Sequence, residues 1–157
     1  MRTRQMRRQK KSEKTALMTA TDLLARAEQS SGRLKDKLRL RGYDEAEAAE
    51  AVEKLTERGY IDDADACRRQ FDFLYEESRQ SVRQIMAKLL QRGFSQELIR
   101  SCVPDDICER ERAAAIRALE LKYKPDADRK KMMEYLYRKG YDSSVIRSAV
   151  EEFVTTI

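Results

Sequence analysis

The sequence predicts an all-α protein made of three tandem three-helix repeats, helix-turn-helix-like in their connections, that together form an elongated, curved rod. Apolar residues recur at helical spacing along most of the 157-residue chain, and no stretch alternates as a strand does. A short phrase also recurs: Leu, two residues, Arg or Lys, Gly, then an aromatic residue. Three of its glycines, at positions 42, 93 and 140, are 51 and 47 residues apart, a period typical of tandem helical repeats.

Helix-capping residues divide each repeat into three helices. Ser, Asp or Thr before an apolar run marks a helix start, and Pro125 interrupts the third repeat. After a basic flexible tail at 1–11, the repeats are predicted at 12–61, 62–104 and 105–157. Their predicted helices, in order, are 12–29, 31–41, 44–58, 62–79, 81–92, 95–103, 105–123, 126–139, and 142 to the C-terminus. A unit of about 45 residues buries too little core alone, so neighbouring repeats should pack in a row.

The recurring phrase is predicted to end one helix and start the next. With Gly in the left-handed C′ position of a helix end, the Leu four residues earlier and the following aromatic residue are the two side chains that meet. A platform for stacking nucleic-acid bases is the alternative for the aromatic residues, and their role in the turn disfavours it. The predicted turn residues are Gly42, Gly59, Gly93, Gly140, Tyr43, Tyr60, Phe94 and Tyr141.

Residues suited to catalysis or metal binding are scarce. The chain has no histidine, the commonest general base and metal ligand, and no phosphate-binding loop or nucleophile motif. Cys67, Cys102 and Cys108 are too scattered for a C-x-x-C site and are predicted to be small buried hydrophobes. The acidic pairs at 62–63 and 105–106 precede helices, which favours capping over metal binding. We therefore expect no enzyme, no metal, no cofactor and no membrane span.

The charge is distributed unevenly along the chain. The tail contains six basic residues and no acid: Arg2, Arg4, Arg7, Arg8, Lys10 and Lys11. The second helices carry net charges of +4, +3 and +3, whereas the third helices carry −4, 0 and −2. In a helix-turn-helix DNA reader the helix after the turn enters the major groove, so sequence-specific reading is disfavoured here.

A row of positive helices suits a long, regular, negatively charged partner instead. Solvated faces that keep the protein soluble are the alternative for any single residue. The candidate contact residues are Arg33, Lys35, Lys37, Arg39, Arg83, Lys88, Arg92, Arg129, Lys130, Lys131 and Arg138.

Three segments resemble one known family. LLARAEQSSGRLKDKLRLRGYDEAEAAEAVEKLTERGYIDDADAC, beginning at Leu23, resembles the amino-terminal half of the RecX regulators. RQSVRQIMAKLLQRGFSQELI is similar to the middle repeat of that family, and MMEYLYRKGYDSSVIRSAV to its last repeat. A glycine commonly precedes the R-x-I stretch of the middle repeat, where this chain has Ser81.

The resemblance implies a cytoplasmic bacterial protein, expected as a monomer, that binds the filament of RecA recombinase on DNA. It implies that the chain restrains RecA ATP hydrolysis, strand exchange and coprotease activity in recombination, DNA repair and the SOS response. Two alternatives stay open. One is a helical repeat protein that binds single- or double-stranded DNA without sequence preference and without touching RecA, and the other is a helical scaffold for another protein.

Overall fold

A computed structural model describes residues 13–156, and within that range the chain folds into nine α-helices and no strand. They are α1 (Ala16–Arg26), α2 (Ser31–Leu40), α3 (Glu45–Glu57), α4 (Asp63–Glu77), α5 (Val82–Gln91), α6 (Gln96–Cys102), α7 (Cys108–Lys122), α8 (Arg129–Arg138) and α9 (Ser143–Thr155). The all-α prediction is confirmed. Each predicted helix is present within a few residues of its expected ends.

Short polar side chains start most of the helices. The Ser30 and Ser95 side chains accept hydrogen bonds from backbone N–H groups in the first turns of α2 and α6, and Asp44 starts α3 in the same way. The start of α7 differs from the prediction. This helix begins at Cys108, because the side chain of Asp106 accepts the Cys108 N–H at 3.0 Å in a local turn that delays the helix.

The four turn glycines adopt the left-handed conformation, with φ between 77° and 92°. In the first turn the N–H of Tyr43 donates to the Leu38 carbonyl at 3.3 Å, and in the last turn Tyr141 donates to Leu136 at 3.3 Å. This 6→1 bond is the one that the predicted helix ending requires. The recurring phrase is therefore a helix ending wherever it occurs.

The described chain forms two compact units. Unit 1 comprises the described part of Met1–Asp63 together with Arg92–Phe94, and unit 2 comprises Ala64–Gln91 and the described part of Ser95–Ile157. In unit 1 a core of small and branched apolar side chains joins α1, α2 and α3, and in unit 2 a second core joins α7, α8 and α9. The limits of the three repeats and the curved rod stay predictions.

Candidate functional site

The eleven candidate basic residues lie on α2, α5 and α8 or directly after α5. Seven have exposed side chains: Arg33, Arg39, Arg83, Arg129, Lys130, Lys131 and Arg138. Four are half-buried: Lys35, Lys37, Lys88 and Arg92. Unit 1 holds those of α2 together with Arg92, and unit 2 holds those of α5 and α8. Each unit thus presents its own basic set.

Several of these cations have no acidic partner within residues 13–156. Arg39 contacts Asp36, and Lys37 donates to the side-chain oxygen of Gln29 at 2.8 Å. Those with neither an ion pair nor a side-chain hydrogen bond in the described chain are Lys35, Arg83, Lys88, Arg129, Lys130, Lys131 and Arg138. Such cations are available to an anionic partner at little desolvation cost. The six basic residues of the tail lie outside the described residues.

The aromatic residues of the turns are mostly out of reach of a ligand. Tyr43, Phe94 and Tyr141 are only 5%, 3% and 3% exposed, so they cannot serve as a platform for stacking bases. Tyr60 differs, since it is 71% exposed although its turn has the same backbone geometry. In this turn the buried apolar residue is the next one, Ile61, which lies between Tyr60 and the start of α4 at Asp63. Tyr60 keeps the backbone bond of the predicted turn, its N–H donating to the Leu55 carbonyl at 2.9 Å, but its side chain is exposed where those of the other three aromatic residues are buried.

Ser30 and Ser31 form a polar contact that the sequence analysis missed, which we name the first junction. The Ser30 hydroxyl, which caps α2, donates to the Arg92 carbonyl. The N–H of Ser31 donates to the Asp63 carboxylate at 2.9 Å, and the Ser31 hydroxyl donates to the same carboxylate. All four residues belong to unit 1. The start of α2 is thereby tied to residues 32 and 62 positions further along the chain.

The same pattern occurs in unit 2, where we name it the second junction. The Ser81 hydroxyl caps α5 and donates to the Lys139 carbonyl. The N–H of Val82 donates to the Glu111 carboxylate at 2.9 Å. Ser81 and Glu111 are 0% and 6% exposed, so both polar groups are satisfied inside the protein rather than by water. One candidate contact residue is involved, because the aliphatic part of Arg83 lies against Gly140.

Arg110, the residue directly before Glu111, supports the second junction. Its guanidinium donates to the backbone carbonyls of Tyr75 at 2.9 Å and Gln80 at 2.6 Å, and it contacts the Glu111 carboxylate at 3.0 Å. It also lies 4.8 Å from the centre of the Tyr75 ring, within the range of a cation–π contact. Arg110 thus holds the segment that follows α4 and neutralises part of the Glu111 charge.

Two titratable groups near this junction have pKa values above their ordinary ones. Burial raises the pKa of Glu111 above its ordinary value, although the Val82 N–H and the Arg110 guanidinium both act to lower it. Burial also raises the pKa of Tyr141 above its ordinary value, and its hydroxyl donates to the Arg79 carbonyl at 2.8 Å. Tyr141 therefore acts as a neutral hydrogen-bond donor in the core.

The sequence did contain a signal for the two junctions. Ser30 and Ser81 are 51 residues apart, the same spacing as Gly42 and Gly93. A polar residue that keeps its place relative to a repeated glycine is a candidate for a repeated contact. The side chain alone, however, did not show that its acceptor is a distant backbone carbonyl.

Acidic and sulfur-containing side chains do not gather into a metal site in the described chain. Residues 13–156 contain no group of three or more His, Cys, Asp or Glu side chains that could hold a metal ion. Cys67 and Cys102 are buried as predicted, with their Sγ atoms 3.9 Å apart, whereas Cys108 is exposed at the start of α7, where the prediction is wrong. No helix in the described range is long and apolar enough to cross a membrane.

Comparison with known proteins gives the same family throughout. Residues 16–55 match the family model described as RecX, first three-helix domain, and residues 110–150 match RecX, third three-helix domain. Regulatory protein RecX of Caldanaerobacter subterraneus subsp. tengcongensis is 31% identical over 141 residues, which are 87% of this chain and 70% of that protein. Regulatory protein RecX of Chlorobaculum tepidum is 31% identical over 145 residues, 87% of each chain.

The fold agrees with the sequence comparison. The crystal structure of RecX from Lactobacillus salivarius superposes with a TM-score of 0.74, over 90% of this chain and 96% of that one, at 18% identity. At this identity the likeness concerns the fold alone, and the family follows from the matching domains and the relatives. The chain therefore belongs to the RecX family of regulatory proteins.

Proposed function

We propose that this chain binds the RecA nucleoprotein filament and inhibits RecA ATP hydrolysis, strand exchange and coprotease activity, in recombination, DNA repair and the SOS response. The observation that carries this proposal is the match to two RecX domains together with relatives named regulatory proteins. The protein acts in the cytoplasm, as a monomer and without catalysis of its own. It works by occupying a surface of the filament.

The basic helices supply the electrostatic part of this binding. α2, α5 and α8 all carry cations without an ion pair in the described chain, in both compact units. A nucleoprotein filament is long and rich in phosphate, and exposed lysine and arginine side chains bind phosphate or carboxylate oxygens with charge-assisted hydrogen bonds. Cations on several helices at a regular sequence spacing therefore suit a filament better than a small anionic ligand.

Charge reversal at three of these residues tests the proposal. Replacing Lys35, Lys130 and Lys131 together by Glu should weaken inhibition of the RecA ATPase on single-stranded DNA by about tenfold or more, since several favourable charge contacts become repulsive. Co-sedimentation with the filament should fall in parallel. The triple replacement of Arg58, Arg100 and Arg117 by Glu is the matched control, because these exposed residues lie outside α2, α5 and α8.

Both variants should keep the helicity and melting temperature of the native chain by circular dichroism. Equal loss of inhibition in both variants would mean that only net charge matters and would remove the assignment to the second helices. A native chain that neither binds nor inhibits the filament would refute the proposed function itself.

Binding to bare DNA is the second candidate function, and the same unpaired cations favour it. In that case the native chain should bind single-stranded DNA without RecA, with an affinity that falls steeply as salt rises. Its effect on RecA would then follow from competition for DNA and would disappear when DNA is in excess. Binding to the filament that persists with excess free DNA distinguishes the RecA contact from this alternative.

A further inference from the structure

An open groove between α8 and α9 is not used by either junction. Its apolar side chains are Met133, Tyr137 and Ile146, and it encloses about 480 Å³. Tyr137 is 72% exposed and Met133 is 37% exposed, while Ile146 lies buried at 4% beneath them. We name this surface the α8–α9 groove. It presents a large aromatic residue to solvent where the polar side chains of an ordinary helix face would suffice.

A groove of the same kind lies between α5 and α6, which are related to α8 and α9 by the shift of 47 residues between Gly93 and Gly140. At this shift, Met86 takes the place of Met133, Leu90 that of Tyr137, and Ile99 that of Ile146. Both sets therefore line grooves at equivalent positions of two helix pairs.

The α5–α6 groove shows which kind of segment lies beside such a surface. Its other side is lined from two places: by Ile107, Cys108 and Glu111 at the start of α7, and by Gly140, Asp142, Ser144 and Val145 at the start of α9. Glu111 is the carboxylate that the start of α7 contributes to this groove, and Asp142 is the one that the start of α9 contributes. The chain thus sets two helix starts, each with an aliphatic residue and a carboxylate, beside this groove.

The α8–α9 groove has no such wall within residues 13–156, and its lining is more basic. Arg138 and Arg147 both line it, are exposed, and make no ion pair in the described chain. The equivalent positions on α5 and α6 are Gln91 and Arg100, so the α8–α9 groove has gained one cation. Two arginine side chains beside an apolar floor complement an apolar side chain flanked by carboxylates.

The lining favours a protein segment over a nucleic acid. Glu134 also lines the groove beside the two arginine side chains, so the lining mixes both signs of charge, as a protein interface does, instead of forming a purely basic surface for a phosphate backbone. Two of the three apolar side chains, Met133 and Ile146, are aliphatic and form the floor beside Tyr137, whereas a platform for stacking successive bases uses several aromatic faces. Buried aromatic and arginine side chains surrounded by apolar neighbours are, in contrast, the usual anchors of protein interfaces.

We propose that the α8–α9 groove docks an acidic, apolar helix start on the protein subunit of the filament, with Tyr137 as the anchor and Arg138 and Arg147 pairing with its carboxylates. The proposal rests on the proposed function, which supplies the partner protein. It gives two surfaces different roles: the second-helix cations provide the electrostatic attraction, and this groove, which shares Arg138 with them, provides a contact with protein.

Replacing Tyr137 by Ser tests the anchor, and Tyr60→Ser is the matched control, because Tyr60 is 71% exposed and lies in unit 1. Affinity is measured by co-sedimentation with RecA filaments on single-stranded DNA and, separately, with the same DNA alone. Tyr137→Ser should weaken filament binding by about tenfold while Tyr60→Ser stays within about twofold, since removing an aromatic anchor is costly only at the interface. Neither change should alter binding to bare DNA.

A second variant, Arg147→Glu, should weaken filament binding in the same direction, and its effect should shrink as salt rises while that of Tyr137→Ser persists. Circular dichroism melting establishes that each variant folds. If the native chain binds the filament and both variants bind equally well, this inference fails and the proposed function stands. If the native chain does not bind the filament, the proposed function fails first.

Two other outcomes would also overturn the inference. An equal loss of affinity for bare DNA and for the filament in Tyr137→Ser would make the groove a nucleic-acid surface. A dimer of the native chain in sedimentation velocity that Tyr137→Ser abolishes would make a second copy of this chain the occupant.

Discussion

The first and second junctions follow one plan with different chemistry. In each, a serine hydroxyl that caps a second helix donates to a backbone carbonyl 62 or 58 residues further on, and the next N–H donates to a carboxylate at 2.9 Å. In the first junction the carboxylate is the half-buried Asp63, shared with the Ser31 hydroxyl. In the second it is Glu111, buried and paired with Arg110.

The two junctions also differ in how closely their two backbone segments approach each other. In the first junction Gly32 faces Gly93, and a Cβ at position 32 would lie 2.5 Å from the Gly93 carbonyl oxygen. In the second junction Arg83 takes the place of Gly32, and its side chain is accommodated beside Gly140. The first junction therefore depends on the absence of side chains, and the second depends on a buried ion pair. The same hydrogen-bond pattern can be kept while the source of its stability changes.

The largest expected effect breaks the second junction. Arg110→Ala should lower the free energy of unfolding by about 3–5 kcal/mol, because it leaves the Glu111 carboxylate buried without its counter-ion and removes the donors to four backbone carbonyls. Asp63→Ala in the first junction should cost only about 1–3 kcal/mol, since its neutral donors can reach water more easily. Urea denaturation followed by far-ultraviolet circular dichroism measures both.

Lys54→Ala is the control for both changes, because its ion pair with Glu50 lies on the surface, and its cost should stay below about 0.5 kcal/mol. Equal costs for Arg110→Ala and Asp63→Ala would contradict the comparison, because the two junctions would then be energetically alike.

A smaller effect separates glycines needed for backbone conformation from those needed for contact. Gly42 and Gly93 have nearly the same φ, 92° and 90°, but a Cβ at Gly42 would meet nothing within 4 Å, whereas one at Gly93 would lie 2.6 Å from the Arg33 nitrogen. Gly42→Ala should cost about 1–2 kcal/mol from the left-handed backbone alone. Gly93→Ala should cost about 1–3 kcal/mol more, from the steric overlap.

The same denaturation measurement decides this prediction, and Gly32→Ala sharpens it. Within an open helix, Ala in place of Gly stabilises by about 1 kcal/mol. At Gly32 the change should destabilise instead, because the nearest atom is a backbone oxygen that cannot move aside. A stabilised Gly32→Ala variant would show that the first junction is looser than described.

The helices and turns could be predicted because their signals are local. Gly42 ends α2 through backbone conformation and a bond to Leu38 in the same turn, so a few adjacent residues contain the information. Tyr60 shows the limit of this reasoning. Its phrase is the same as that of Tyr43, yet it is exposed, because burial depends on what packs against the turn and here Ile61 takes the buried place.

The junctions and the groove could not be predicted in the same way. Ser81 donates to a backbone carbonyl, which every residue has, so no residue type marks the acceptor. Arg110 was indistinguishable from a surface arginine, although four carbonyls surround it. Tyr137 lies on a predicted amphipathic helix, and only the packing of α9 shows that it faces solvent above a groove. The placement of cations on second helices was predictable, and their contact with a partner stays a prediction.

The smallest expected effect concerns the pH dependence of the second junction. Burial raises the pKa of Glu111 in the folded chain above its ordinary value of 4.5, with Asp142 acting in the same direction and Arg110 in the opposite one. The folded state therefore binds this proton more tightly than the unfolded state. The resulting stability is fully present below pH 4.5 and is lost as the pH rises through the folded pKa.

The Glu111→Gln variant tests this pH dependence, because its side chain has no such proton and can still accept the Val82 N–H. The free energy of unfolding of the native chain minus that of Glu111→Gln, measured in urea from pH 4 to 7, should therefore fall as the pH rises. A difference that increases with pH would contradict the prediction, because it would mean that Arg110 and the Val82 N–H together outweigh the effect of burial on the pKa of Glu111.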